Sequence, residues 1–134
     1  KETYKYAKPI RGVKKALKKL KEKYKIAILT NCKHKEILPI LKGAGIDKSL
    51  FNYTIGNDDV NRGKPSPDEI FKAQKLAHGK ADYMVGDSIY DIMAAKKAKV
   101  KCIAVQTGDH TKKMLKREQP FLILKSIRSL PRKL

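Results

Sequence analysis

Two carboxylates lie close together where an apolar run of the chain ends. Asp87 follows the apolar segment Tyr83–Gly86, and Asp91 comes four residues later. If a helix begins just after Asp87, Asp91 lies one turn into it and both carboxylates can face one point. Mg²⁺ prefers a few carboxylate oxygens and keeps its remaining positions for water and phosphate. The pattern predicts Asp87 and Asp91 as Mg²⁺ ligands; the alternative for Asp91 is a first-turn acid favoured by the helix dipole.

A hydroxyl and a lysine precede these acids, each at a place where a strand should end. Thr30 closes a short apolar run and is followed by Asn31. Lys64 lies between Gly63 and Pro65, and a proline holds the backbone of the residue before it extended. A threonine at a strand end is often only a cap, and a lysine in a lysine-rich chain is usually solvated. The order along the chain, first a hydroxyl, then a lysine and then the two acids, favours a functional role for all of them.

Apolar spacing predicts strands that alternate with helices along the chain. The predicted helices begin at about Val13, Lys35, Pro67, Ser88 and Thr111, and the predicted strands cover 26–30, 51–56, 83–86, 100–105 and 121–124. Such alternation implies an α/β fold: a three-layer, Rossmann-like parallel sheet with helices on both faces. In such sheets the ligand site lies beyond the carboxyl ends of the strands, which is where Thr30, Lys64 and Asp87 fall.

Finer features of the elements can also be predicted. The residues 66–69 form a capping box with Pro67 at the first helical position. That helix is expected to direct four side chains to the core: Ile70, Ala73, Leu76 and Ala77. Pro39 should lie near the first turn of the second helix or kink it. The residues after 124 are expected to be a small basic tail.

The ordered set of a hydroxyl, a lysine and the sequence Gly-Asp-x-x-x-Asp at 86–91 resembles the haloacid dehalogenase (HAD)-like hydrolase superfamily. The segments 8–13 and 58–65 look like the connection from cap to core and the approach to the lysine in its phosphoglycolate-phosphatase-like branch. The resemblance covers nearly the whole chain. It implies a Mg²⁺-dependent phosphatase that hydrolyses a small phosphomonoester, a phosphorylated small-molecule substrate, through an aspartyl-phosphate.

The resemblance also implies roles for the residues that match the family's motifs. Thr30 and the backbone amide of Asn31 would donate hydrogen bonds to a phosphoryl oxygen. Lys64 would place its ammonium between the phosphate and the aspartyl nucleophile. Asp87 would bind Mg²⁺ directly, and Asp91 would bind it or orient a water ligand and Lys64.

The family's first motif, Asp-x-Asp after a first strand, does not occur in this sequence, so the chain contains no nucleophile. In the family this strand lies between those that end here at Thr30 and Asp87, and the mobile cap follows it. Residues 1–134 are therefore expected to form a single HAD-like core domain without its central strand and cap. The gap would leave unpaired strand edges. We expect an N-terminal segment or partner chain to supply the strand and the nucleophile, and this chain alone to be inactive.

The charge of the chain offers an alternative function. Its 32 Lys and Arg against 13 Asp and Glu give a formal net charge of +19. Clustered cations bind nucleic acid by releasing counterions. The alternative is therefore a catalytically inactive basic module that binds nucleic acid or another anionic partner. Since many lysines fall on water-facing helical positions, we expect any nucleic-acid binding to be weak and non-specific.

Other residue types restrict the remaining function classes. Cys32 and Cys102 lack metal-ligand spacing. The histidines at 34, 78 and 110 show no zinc spacing and are assigned no catalytic role, and His34 is expected to be a solvated loop residue. No apolar stretch approaches the roughly 20 residues that span a bilayer. We therefore expect a cytoplasmic protein with no membrane partner.

Overall fold

The computed structural model describes residues 12–134, so most of the predicted connection at 8–13 lies outside the described residues. Six α-helices lie within this range: α1 Val13–Lys21, α2 His34–Gly43, α3 Asp68–Ala77, α4 Ile89–Lys97, α5 Lys112–Arg117 and α6 Leu130–Lys133. It also contains five strands: β1 Ala27–Leu29, β2 Tyr53–Ile55, β3 Tyr83–Gly86, β4 Lys101–Val105 and β5 Leu122–Leu124. The predicted alternation of strands and helices is confirmed.

Among the described residues all strand pairs are parallel, and they form two separate sheets. Strand β1 pairs with β2, so that Leu29 lies beside Ile55. The second sheet has the order β3-β4-β5, with Gly86 beside Ala104. Within residues 12–134, β1 and β3 each pair on one side only. The fold is the predicted α/β arrangement, and its sheet is interrupted where the sequence predicts a central strand to be lacking.

Helices cover both faces of the second sheet. Cys102 and Ala104 of β4 pack with the buried side chains of α4, such as Ile92. The alternate residue Ile103 packs on the other face with Leu20 of α1 and Leu130 of α6. Successive strand residues point to opposite faces, which explains the division into two cores. The segment after 124 is therefore not only a basic tail, because Leu130 is 1% exposed and closes one of these cores.

The start of α3 differs from the prediction. The helix begins at Asp68, and Pro67 is its N-cap residue without a side-chain capping bond. The Ser66 hydroxyl accepts a hydrogen bond from the Asp68 N–H at 3.2 Å, in place of the predicted capping box. Leu76 is 40% exposed, and Glu69 is buried instead. The later half of α3 faces a gap between the two sheets, so the helix buries mainly its first turn.

An apolar groove occupies this gap between β1 and β3. It has a volume of about 590 Å³, and its walls include Ile28 and Leu29 of β1, Met84 and Val85 of β3, and Ile70 of α3. The unpaired edges of both strands therefore face a space lined by apolar side chains.

Two further features of the helices bear on the predictions. Pro39 lies in the middle of α2, beyond its first turn, and the helix still buries Ile37 and Leu41. Across residues 12–134, no helix is both long enough and apolar enough to cross a bilayer.

Candidate functional site

Lys64 connects the carboxyl end of β1 to the start of α4. Its ammonium donates hydrogen bonds to the backbone oxygen of Leu29 at 3.1 Å and to Oδ1 of Asp91 at 2.6 Å. The Lys64 side chain is 13% exposed and that of Asp91 is 6% exposed. The two sheets, which are not paired to each other, are thus joined at their carboxyl edge by this buried ion pair.

Asn31 fixes the turn that carries Lys64. Its side-chain oxygen accepts a hydrogen bond from the Lys64 N–H at 2.9 Å, and its side-chain nitrogen donates to the Lys64 carbonyl at 3.1 Å. A Cβ at Gly63 would collide with the side-chain oxygen of Asn31, so this close approach requires glycine. The side chain of Asn31 thus positions the lysine, a role that the sequence does not reveal.

Thr30 lies at the end of β1 and keeps a donor available. Its N–H donates to the Ile55 carbonyl at 3.0 Å and extends the pairing of β1 with β2. The Thr30 hydroxyl oxygen accepts a hydrogen bond from the Cys32 N–H at 3.1 Å. Because that contact uses only a lone pair, the hydroxyl proton remains free to be donated. Thr30 therefore acts as a turn cap and can still bind an anionic oxygen.

Asp91 is almost fully buried, and both of its oxygens are engaged. Oδ1 accepts from Lys64, while Oδ2 accepts from the N–H groups of Asp87 and Ser88 and from the Ser88 hydroxyl, each at 3.1 Å. A Cβ at Gly86 would collide with the Asp91 side chain. Of the two roles that the resemblance implies for Asp91, these contacts favour the orientation of Lys64 over direct metal binding.

Asp87 lies at the exposed tip of β3, close to the start of α4. Protein atoms that displace water around the carboxyl, and then the negative charge of Asp91, raise the pKa of Asp87. A cation beside the two carboxylates would relieve that repulsion, so the donor set fits Mg²⁺. Within the described part of the chain no three metal-ligating side chains gather at one point.

His34 and Asp59 form a pair beside the site that the sequence did not predict. His34 is exposed, as predicted, but it is the first residue of α2 and not a loop residue. Its Nδ1 lies 2.6 Å from Oδ2 of Asp59, and its backbone N–H donates to Asp58 at 2.8 Å. A hydrogen bond from the Gly56 N–H lowers the pKa of Asp59, and His34 adds to this effect. The pair holds the 57–59 turn against the start of α2.

Glu69 was also missed by the sequence analysis. It is 0% exposed in the first turn of α3, and within residues 12–134 neither carboxyl oxygen has a hydrogen-bond partner. Acidic residues are common in the first turn of a helix because the helix dipole favours them. The successive acids Asp68 and Glu69 fit that pattern, and the pattern does not show which side chain is buried. Burial raises the pKa of Glu69 to about 7.

Known proteins are similar in sequence to most of this chain. The chain is 34% identical over 122 residues to a phosphoglycolate phosphatase of Pseudomonas fluorescens, covering 89% of this chain and 44% of the relative. It is 36% identical to a relative from Caldanaerobacter subterraneus subsp. tengcongensis whose name is that of a pyrophosphatase, covering 86% of this chain and 53% of the relative. The chain thus spans about half the length of these relatives.

A solved structure and a family model agree with these relatives. The crystal structure of a hydrolase from Pseudomonas syringae matches with a TM-score of 0.82 at 27% identity, covering 92% of this chain and 60% of that one. The model of the haloacid dehalogenase-like hydrolases matches residues 1–105. This chain therefore belongs to the haloacid dehalogenase-like hydrolase family.

Proposed function

We propose that the chain is the C-terminal core part of a Mg²⁺-dependent phosphatase that hydrolyses a small phosphomonoester through an aspartyl-phosphate. The observation that carries this proposal is the position of Lys64, whose buried ammonium joins the end of β1 to Asp91. A fixed cation at the carboxyl edge of a parallel sheet is suited to neutralise a transferring phosphoryl group.

The neighbouring groups would share the phosphoryl oxygens. The Thr30 hydroxyl and the backbone N–H of Asn31 lie in the turn that follows β1, and both would donate hydrogen bonds to one oxygen. Asp91 keeps the Lys64 ammonium in place. Asp87 would hold Mg²⁺, which supplies positive charge to the phosphoryl oxygens when it is bound.

The apolar groove between β1 and β3 supports the need for an additional strand. A strand inserted there could pair with both unpaired edges, join the two sheets and cover the apolar walls. Residues just beyond the carboxyl end of such a strand would lie between Thr30 and Asp87, beside Lys64. We therefore propose that an N-terminal segment or partner chain supplies this strand and the nucleophilic aspartate.

The substrate class follows from the site and from the names of the relatives. One relative is named for phosphoglycolate and another for pyrophosphate. Both are small phosphorylated molecules, and the cationic groups described above would bind the phosphate that they share.

A pair of matched variants tests the role of Asp87. Asp82 and Asp87 flank the two ends of β3, and both are exposed. In the protein completed with an Asp-x-Asp strand, we expect Asp87→Asn to lower kcat/KM for an aryl phosphate at least about 100-fold, since it loses charge stabilisation at the transferring group. Asp82→Asn should change it less than about twofold. Phosphate release measured over a Mg²⁺ titration checks both values. Equal effects of the two substitutions would contradict the role of Asp87 as the Mg²⁺ ligand.

A further inference from the structure

Glu69 lies beneath the turn that carries Lys64. A Cβ at Gly63 would be 3.3 Å from Oε2 of Glu69, so the carboxyl group lies against the backbone of the residue before the lysine. The side chain is 0% exposed, and both oxygens lack a hydrogen-bond partner among residues 12–134. A buried carboxyl without a partner is costly in its ionised form. Burial therefore favours the neutral form of Glu69, and the charges around the carboxyl shift the balance further.

Those charges come from each element near Glu69. Lys64 in the turn favours the ionised form, while Asp91 of α4 and Asp59 of the 57–59 turn favour the neutral form. Burial is the largest influence and brings the pKa of Glu69 to about 7. Both forms are thus accessible near neutral pH, and a change of charge at Lys64 or Asp91 alters their ratio.

We propose that Glu69 takes up a proton when a phosphate group binds beside Lys64 and releases it when the phosphate leaves. The proposal rests on the proposed function and adds a regulation of that site. Neutral Glu69 leaves the Lys64 ammonium with Asp91 as its anionic partner, so the cation can also attract a phosphate dianion. Ionised Glu69 adds a negative charge below the turn and weakens that attraction.

The coupling is reciprocal. If the proton on Glu69 strengthens phosphate binding, then bound phosphate must raise the proton affinity of Glu69 by the same factor. We therefore expect the KM for a phosphomonoester to rise several-fold as the pH increases through about 7, the value to which burial raises the pKa of Glu69. The kcat should change much less, because Glu69 does not touch the reacting atoms.

The first experiment needs no enzymatic activity and uses the protein completed with an Asp-x-Asp strand. The protein with ¹³C-labelled glutamate side chains is titrated by NMR, and the Glu69 signal is identified as the one missing in Glu69→Gln. We expect its midpoint at about pH 7. Lys64→Met removes the cation that favours ionisation, so it should move the midpoint upward. Lys75→Met, an exposed change on the same helix, should leave it unchanged.

The second experiment uses the strand-completed protein and an aryl phosphate. Glu69→Gln, which keeps the shape but cannot ionise, should remove the rise of KM with pH while leaving kcat within about threefold. A Glu69 midpoint in the ordinary carboxyl range, a midpoint that ignores Lys64→Met, or an unchanged KM profile in Glu69→Gln would each overturn the proposal. Because the NMR result does not depend on turnover, failure of this coupling can be distinguished from failure of the phosphatase assignment.

Discussion

The first turns of α3 and α4 both bury an acidic side chain near the carboxyl edge of the sheet, but the surroundings of the two acids are opposite. Asp91 in α4 is 4% exposed and accepts hydrogen bonds from Lys64 and from the 87–88 turn. Glu69 in α3 is 0% exposed and has no such partner among the described residues. Burial by itself therefore does not define the role of an acid. The partners decide whether its charge is fixed or adjustable.

The same difference separates structural from regulatory roles. The charge of Asp91 holds Lys64 and closes the turn after β3, so the geometry of the site depends on it. Glu69 holds nothing in place, and its ionisation is opposed by burial. Neutralising the two acids should therefore have opposite effects on the free energy of unfolding.

The largest effect is expected from Asp91→Asn. The change leaves the ammonium of Lys64 buried without its anionic partner, and breaking a buried pair on one side costs about 3–5 kcal/mol in the free energy of unfolding. Urea unfolding at pH 7 measures the loss. Asp82→Asn is the control, since that side chain is exposed and should change the free energy by less than about 0.5 kcal/mol. A loss below about 1 kcal/mol for Asp91→Asn would mean that the ion pair does not hold the site together.

A smaller effect of opposite sign is expected from Glu69→Gln. The pKa of Glu69 is raised from its ordinary value of 4.5 to about 7 in the folded chain, so the unfolded chain loses its proton first as the pH rises. The stability of the wild-type chain should therefore fall between about pH 4.5 and pH 7 and then level off. The glutamine variant lacks this loss and should be more stable at pH 8 by about 1–3 kcal/mol.

The pH dependence of the stability difference shows whether it comes from the charge of Glu69 or from a change in packing. Urea unfolding at pH 4 and pH 8 should show a difference between wild type and Glu69→Gln only at the higher pH. Glu22→Gln, an exposed change at the end of α1, should follow the wild-type curve at both values. If the Glu69→Gln and wild-type curves are parallel from pH 4 to pH 8, Glu69 is not an adjustable charge.

The parts of the fold that could be predicted have strong local patterns. Strands that end on Thr30 and Asp87 are short apolar runs, and parallel strands bring their carboxyl ends to one edge, so the structure gathers these residues with Lys64 and Asp91. Their catalytic roles remain predictions. The interruption between β1 and β3 was also expected, because the sequence lacks the Asp-x-Asp motif of the strand that would fill it.

The features that could not be predicted depend on tertiary contacts. The helix α3 begins one residue later than its capping pattern indicated, and nothing in the local sequence says that Glu69 faces inward. The residues 127–133 are too few to show a helical period, yet Leu130 completes a core. The pair of His34 and Asp59 joins segments 25 residues apart, a distance over which spacing carries no information.

The need for an additional Asp-x-Asp strand is tested most directly by phosphate release from an aryl phosphate in the presence of Mg²⁺. This release should be measured for the chain alone and for the chain mixed with or joined to an apolar strand that ends in Asp-x-Asp. A third sample combines the chain with the same strand after its first aspartate has been changed to asparagine. We expect turnover only with the intact Asp-x-Asp strand. Robust turnover by the chain alone would contradict this expectation, because a nucleophile would then lie within the chain itself.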